Sequence, residues 1–192
     1  MSSAPDHVTD RSGAVAVLAG LPSMGPRRLR LVLMHHEPGD ALDRLASGRP
    51  LHHMVQRCGD PATLVALRDQ ARSASVDRAR TACERHGVRV LLHGDALYPE
   101  PLRLDPQAPA ALFAVGSLDA LAARRAGIVG TRNATAAGIA TAHELGHDLA
   151  ALGVSVVSGL ARGIDGAAHR GARAADGPGR AVAVVANGAD VA

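Results

Sequence analysis

Ala126-Gly127-Ile128-Val129-Gly130-Thr131-Arg132-Asn133, followed a helix-length later by Val154-Ser155-Val156-Val157-Ser158-Gly159-Leu160-Ala161-Arg162-Gly163-Ile164-Asp165, decides the fold. Each block is a short apolar run ending in a glycine-bearing turn, the pattern of a strand that enters a helix. Apolar residues at helical spacing fill 136–152 between them, and a second helical stretch over 164–174 leads to a third apolar run, Ala181–Ala186. Short strands alternating with helices specify right-handed βαβ units and hence an α/β domain with an open parallel sheet. The sheet is expected to be incomplete at its C-terminal edge. The sequence stops at Ala192 with no helix to cover the last strand, whereas parallel sheets are covered on both faces, so a fragment or truncated product is expected.

Toward the N-terminus the period changes. Residues 1–13 are polar, broken by Pro5 and Gly13, and read as a frayed terminus. From Ala14 to His86 apolar residues recur every three or four positions (Val15, Leu18, Ala19; Leu29, Val32, Leu33; Leu64, Leu67, Ala71), which makes 1–86 a small helical domain. Asp60-Pro61 marks a helix start and Gly87 a helix end. Val88–Leu92 and Ala111–Val115 then read as strands, so the second domain is placed at 87–192.

Composition narrows the chemistry. Hydrophobic residues make up 47% of the chain, yet Tyr98 and Phe113 are the only aromatics, so Ala, Val and Leu must fill the core. Phe113 falls within a strand expected to be buried and Tyr98 beside Pro99 in a turn, which leaves no platform for stacking nucleic-acid bases. All 21 basic residues are arginine, and the net charge is +3, a mild bias toward anionic partners. Cys58 and Cys83 suffice for neither a disulfide framework nor a four-cysteine zinc site, which favours a reducing compartment. Without a signal segment or a run of about 20 apolar residues, a cytoplasmic protein with no membrane contact is expected.

The two glycine turns carry the chemistry. In an open parallel sheet, ligands gather where the carboxyl ends of the strands meet helix N-termini. Gly130, Gly159 and Gly163 allow close approach to a ligand, Thr131 and Ser158 offer hydroxyls, and Arg132 and Arg162 offer forked cationic donors, a set suited to phosphate. Glycine after a strand also makes a plain turn, and a loop arginine is often merely solvated; the coincidence of two such turns favours the anion site. Neither turn has the G-x-G-x-x-G or Gly-Lys-Ser/Thr pattern, so no nucleotide cofactor is implied. His143-Glu144-Leu145-Gly146-His147 satisfies H-E-x-x-H, but a catalytic zinc needs a third ligand at a recognised spacing, and no Glu follows Glu144. The stripe Ala142, Leu145, Leu149 and Leu152 places both histidines on the flank of the helix, and no metal is expected.

The ordered series Tyr98-Pro99 with Leu102, Pro109 with Leu112-Phe113 and Gly116, Ile128 to Arg132, Ser158 to Asp165 with Ala168-His169, and Ala181 to Val184 with Gly188 resembles the motif series of the DNA processing protein A (DprA/Smf) family over residues 88–191. The resemblance implies a Rossmann-like domain that binds single-stranded DNA in a basic pocket. It also implies a part in DNA uptake during natural transformation, loading of the RecA recombinase, a dimer interface and no catalytic reaction. On it Arg132 matches the pocket arginine and Ser158, Gly159, Arg162 and Gly163 the second loop; with Gly130 and Thr131 these are the candidate DNA-binding residues. Asp165 and His169 also match, and the early helical position of Asp165 suits a helix cap. Blocks that follow Gly188 in the family, an Arg-Asn-Arg segment and a Ser-Gly-Ser/Thr loop, are missing from this sequence. Leu21-Pro22-Ser23-Met24-Gly25-Pro26-Arg27-Arg28-Leu29 resembles a helix-hairpin-helix turn, though a helix start with Pro26 in its first turn explains it equally. The rival from another class is a Rossmann-like hydrolase of nucleotide N-glycosidic bonds, which needs a Pro-Gly-Gly-x-Gly-Thr loop and a catalytic Glu, neither of them visible.

Overall fold

The structure, a computed structural model, describes residues 6–56 and 60–186; Cys58 and Gly188 lie outside the described residues. It divides into two compact units, Met1–Val115 and Gly116–Ala192. This division falls later than the 86/87 boundary expected from the change of period. The two strands that follow Gly87 pair with each other and not with the parallel sheet, so they group with the helices before them.

The first unit contains α1 (Asp6–Gly20), α2 (Pro26–His35), α3 (Pro38–Ser47), α4 (His53–Gln56), α5 (Pro61–Ser73) and α6 (Val76–Arg85). Leu18, Val32, Val55 and Leu67 are fully buried at its centre. The expected fraying does not extend to residue 13. Helix α1 already runs from Asp6, and Gly13 lies where an added Cβ would come within 2.9 Å of Val76 Cγ1, so the glycine serves close contact between α1 and α6. Helix α5 starts as read: Thr63 N–H donates to Asp60 Oδ1 at 2.8 Å, with Pro61 in the first turn. That bond holds the Asp60 carboxyl below its ordinary value, so the cap's contribution is complete above that ordinary value and is lost as pH falls below it. Helix α6 ends through Gly87 in the left-handed region, φ +63°.

The strands β1 (Arg89–Leu92) and β2 (Ala111–Ala114) pair antiparallel, Arg89 opposite Ala114 and Leu92 opposite Ala111, with the short helix α7 (Glu100–Arg103) between them. Tyr98 is 2% exposed, and its hydroxyl donates to the Pro109 carbonyl at 2.7 Å. Phe113, expected to be buried, is 37% exposed. Strand β2 has a single neighbour among the described residues, and none of its residues is fully buried.

The second unit holds α8 (Asp119–Ala122), β3 (Arg125–Gly127), α9 (Ala136–Ala151), β4 (Ser155–Ser158), α10 (Ile164–Ala174) and β5 (Ala181–Ala183). The strands lie in the order β3-β4-β5, all parallel, with Ala126 opposite Val156 and Val157 opposite Val182, which is the open α/β sheet expected. Ile128 and Val156 pack with Ala150 of α9 and with Ala168 and Ala172 of α10. The buried stripe of α9 differs from the expected one. Ala142, Gly146 and Ala150 face inward, while Leu145 and Leu152 are 48% and 80% exposed. Two glycines explain the rotation: a Cβ on Gly146 would strike the Ala168 carbonyl, and one on Gly171 would strike the carbonyl of His143, so the helices touch backbone to backbone. Leucine at that contact would hold them apart.

Candidate functional site

The turns after β3 and β4 lock together at the carboxyl end of the sheet. Asp165, 7% exposed at the second position of α10, accepts from Gly130 N–H through Oδ1 at 3.1 Å and from Gly159 N–H through Oδ2 at 3.2 Å. The expected helix cap is therefore not its role. Gly163 takes the N-cap position, where no side chain bonds, and the Asp165 carboxylate turns outward to clamp both loops. Gly163 has φ +88°, and a Cβ there would meet the Thr131 and Arg132 carbonyls; a Cβ on Gly130 would come within 2.7 Å of Ile164 Cβ. Ile164 N–H donates to Thr131 O at 3.3 Å and completes the contact.

This interlock reassigns several expected donors. The Gly130 and Gly159 amides are taken by Asp165, and those of Ile164 and Gly166 by the carbonyls of Thr131 and Ala161. Ser158 is 3% exposed and its hydroxyl donates to the Ile128 carbonyl at 2.6 Å, tying β4 to β3. Gly130, Ser158, Gly159 and Gly163 thus build the scaffold. Arg132, Arg162 and Thr131 remain at the surface, and the Thr131 hydroxyl, which accepts from Asn133 N–H at 3.2 Å, keeps its own proton to donate. Neither arginine has an acidic partner among the described residues, whereas Arg11, Arg44, Arg72 and Arg80 of the first unit are ion-paired. The buried clamp was missed from sequence; its signal is an acidic residue placed two positions after a loop glycine. Leu160 was missed too: it is 55% exposed at φ +58°, a conformation that costs a non-glycine residue about 1 kcal/mol or more.

His169, one helical turn after Asp165, is 6% exposed, and its Nε2 has no hydrogen-bond partner among the described residues. His143 and His147 do share one face of α9, with His147 Nδ1 3.1 Å from Asp148 Oδ1. Among the described residues no three His, Cys, Asp or Glu side chains converge in a way that could hold a metal ion. No helix among them is long and apolar enough to cross a membrane.

Residues 89–192 match the family model described as DNA recombination-mediator protein A. Over 170 residues the chain is 38% identical to a Mycobacterium tuberculosis protein named as a DNA processing protein DprA, an alignment that takes in 80% of this chain and 40% of that protein. It is 34% identical over 140 residues to the DNA processing protein DprA of Bacillus subtilis, covering 67% of this chain and 46% of that one. The chain thus spans less than half the length of these curated relatives. The crystal structure of DNA processing protein A from Streptococcus pneumoniae superimposes with a TM-score of 0.63 at 23% identity, over all of this chain and 61% of that one, and the likeness is one of fold. The matched segment contains β1 to β5 and both interlocked turns, and on it this chain belongs to the DNA recombination-mediator protein A family.

Proposed function

We propose that the chain binds single-stranded DNA through its phosphates, with Arg132 and Arg162 as the main contacts and Thr131 beside them, and that it serves DNA processing in recombination and transformation by passing the strand to a RecA-type recombinase in the cytoplasm. One observation carries the reading. Two exposed arginines with no acidic partner among the described residues stand on turns fixed to each other by a buried carboxylate. A guanidinium matches phosphate through a planar fork of donors, and a locked backbone loses little entropy when the anion arrives. The family's description as a recombination mediator and the relatives' names as DNA processing proteins support the same role.

Arg132→Ala is expected to weaken single-stranded DNA binding by about 1.5 to 3 kcal/mol, the scale of a hydrogen bond to a charged group, without lowering the melting temperature. Filter binding beside thermal denaturation measures both, and a folded variant with unchanged affinity refutes the assignment. Phosphate contact also fixes the salt dependence. With roughly two to four phosphates neutralised, the log–log slope of affinity against salt is expected at about −1.4 to −2.8. Little preference among homopolymers of different base should accompany it, because phosphates carry no direct base information. Phe113 is exposed, but a single aromatic side chain cannot stack successive bases. Isotherms on several homopolymers that show a strong base preference, or no salt dependence, contradict phosphate contact.

A further inference from the structure

Four histidines gather in the first unit. His35 ends α2 and His36 caps it; His52 and His53 stand at the start of α4. The rings of His35 and His52 stack with centroids 3.7 Å apart and planes 16° from parallel, and the ring of His53 lies 4.2 Å from that of His52. His36 Nε2 accepts the backbone N–H of His52 at 2.9 Å, while its Nδ1 lies 3.4 Å from Asp40 Oδ2. Arg44 holds that same carboxylate oxygen at 2.6 Å.

The bond from His52 N–H needs an unprotonated Nε2 on His36. A neutral imidazole with its proton on Nδ1 donates to Asp40 and keeps a lone pair on Nε2 for His52 N–H. An imidazolium carries protons on both nitrogens and can accept from neither side, so a second proton would set two N–H groups face to face. Asp40 and Glu37 draw a proton toward His36. Against them stand Arg44, bound to Asp40, and Arg11, Arg30 and His93, which line a cavity of about 340 Å³ with His36 and Glu37. Arg11 is itself paired with Glu37 at 3.8 Å and with Asp95 at 3.6 Å, so its charge is largely offset. The stacked rings of His35 and His52 add repulsion once both are charged.

We infer that these histidines form a proton-operated latch on the connection between α3 and α4, shut while His36 is neutral and released when the cluster protonates. The lowered affinity of His52 for a proton, caused by burial and then by the charges of His35, His53 and His36, acts in the same direction. A folded state that binds protons less readily than the unfolded chain is stable above the ordinary histidine range and loses that stability as pH falls below about 6.5.

Nitrogen-15 NMR of the full chain tests the latch. At about pH 7.5 the His36 ring is expected as the Nδ1–H tautomer with Nε2 unprotonated. On lowering to about pH 5.5, protection of the His52 amide against hydrogen exchange, corrected for the intrinsic rate, is expected to fall roughly tenfold or more. In His36→Gln, whose side-chain oxygen can accept the same N–H without titrating, protection should stay level across that range. A protonated His36 Nε2 at the higher pH, wild-type protection that does not change with pH, or an undiminished loss in His36→Gln overturns the inference. If the variant does not fold, the tautomer and protection of the wild-type chain decide it.

Discussion

Asp165→Ala is expected to destabilise the second unit by about 2 to 4 kcal/mol and to remove DNA binding with it. The carboxylate accepts from two backbone amides belonging to different loops, and hydrogen bonds to a charged group contribute about 1.5 to 3 kcal/mol each. Gly130 and Gly159 lie at the surface, so water can satisfy their amides once the clamp is gone, which keeps the loss below the full sum. Asp165→Asn separates charge from shape. Its amide oxygen can replace one acceptor, but its NH2 group then faces the other glycine N–H, and an intermediate loss follows. Urea unfolding and filter binding on the same preparations measure both quantities. An alanine variant as stable as the wild type but deficient in DNA binding would make Asp165 a ligand contact and dismiss the clamp.

What could be read from sequence followed the strength of the local signal. The order of strands and helices beyond residue 125 was legible because each strand is an apolar run closed by glycine, and a βαβ path leaves few alternatives. Asp60 and Gly87 were legible for the same reason, since caps are local chemistry. The face that α9 buries was not. Periodicity marks leucine as inward, yet Gly146 and Gly171 allow the two helix backbones to touch and turn Leu145 outward, a choice made by the partner helix. The boundary between the units was hidden likewise, because nothing within Arg89–Leu92 or Ala111–Ala114 says which strand each will pair with.

At the site, residue types were legible and their roles were not. Glycine, serine and arginine in two turns read as a phosphate site, and Arg132 and Arg162 stand exposed there. The sequence could not show that Ser158 would spend its proton on Ile128, or that one carboxylate would occupy two loop amides. Both are contacts between residues about thirty positions apart, or between one loop and the next helix, and they arise only when the strands align.

Gly163→Ala separates the two roles open to that glycine, and its expected effect is a loss of about 3 kcal/mol or more. At φ +88° and ψ −130° the backbone lies in a region almost closed to residues with a Cβ, a strain of about 1 to 3 kcal/mol. The new methyl would also press on the Thr131 carbonyl and come within 2.8 Å of the Arg132 carbonyl oxygen, and overpacking of that kind adds about 1 to 3 kcal/mol. Relief requires the first turn to move away from α10, which stretches the Ile164 N–H to Thr131 O bond and pulls Gly130 from Asp165. Stability and DNA affinity should therefore fall together, with a melting temperature lower by more than about 10 °C for a unit of this size. A glycine kept only so that a phosphate can approach would behave differently: alanine would weaken binding and leave the melting temperature unchanged. That second outcome would return Gly163 to the list of ligand contacts and reduce the interlock to a coincidence of packing.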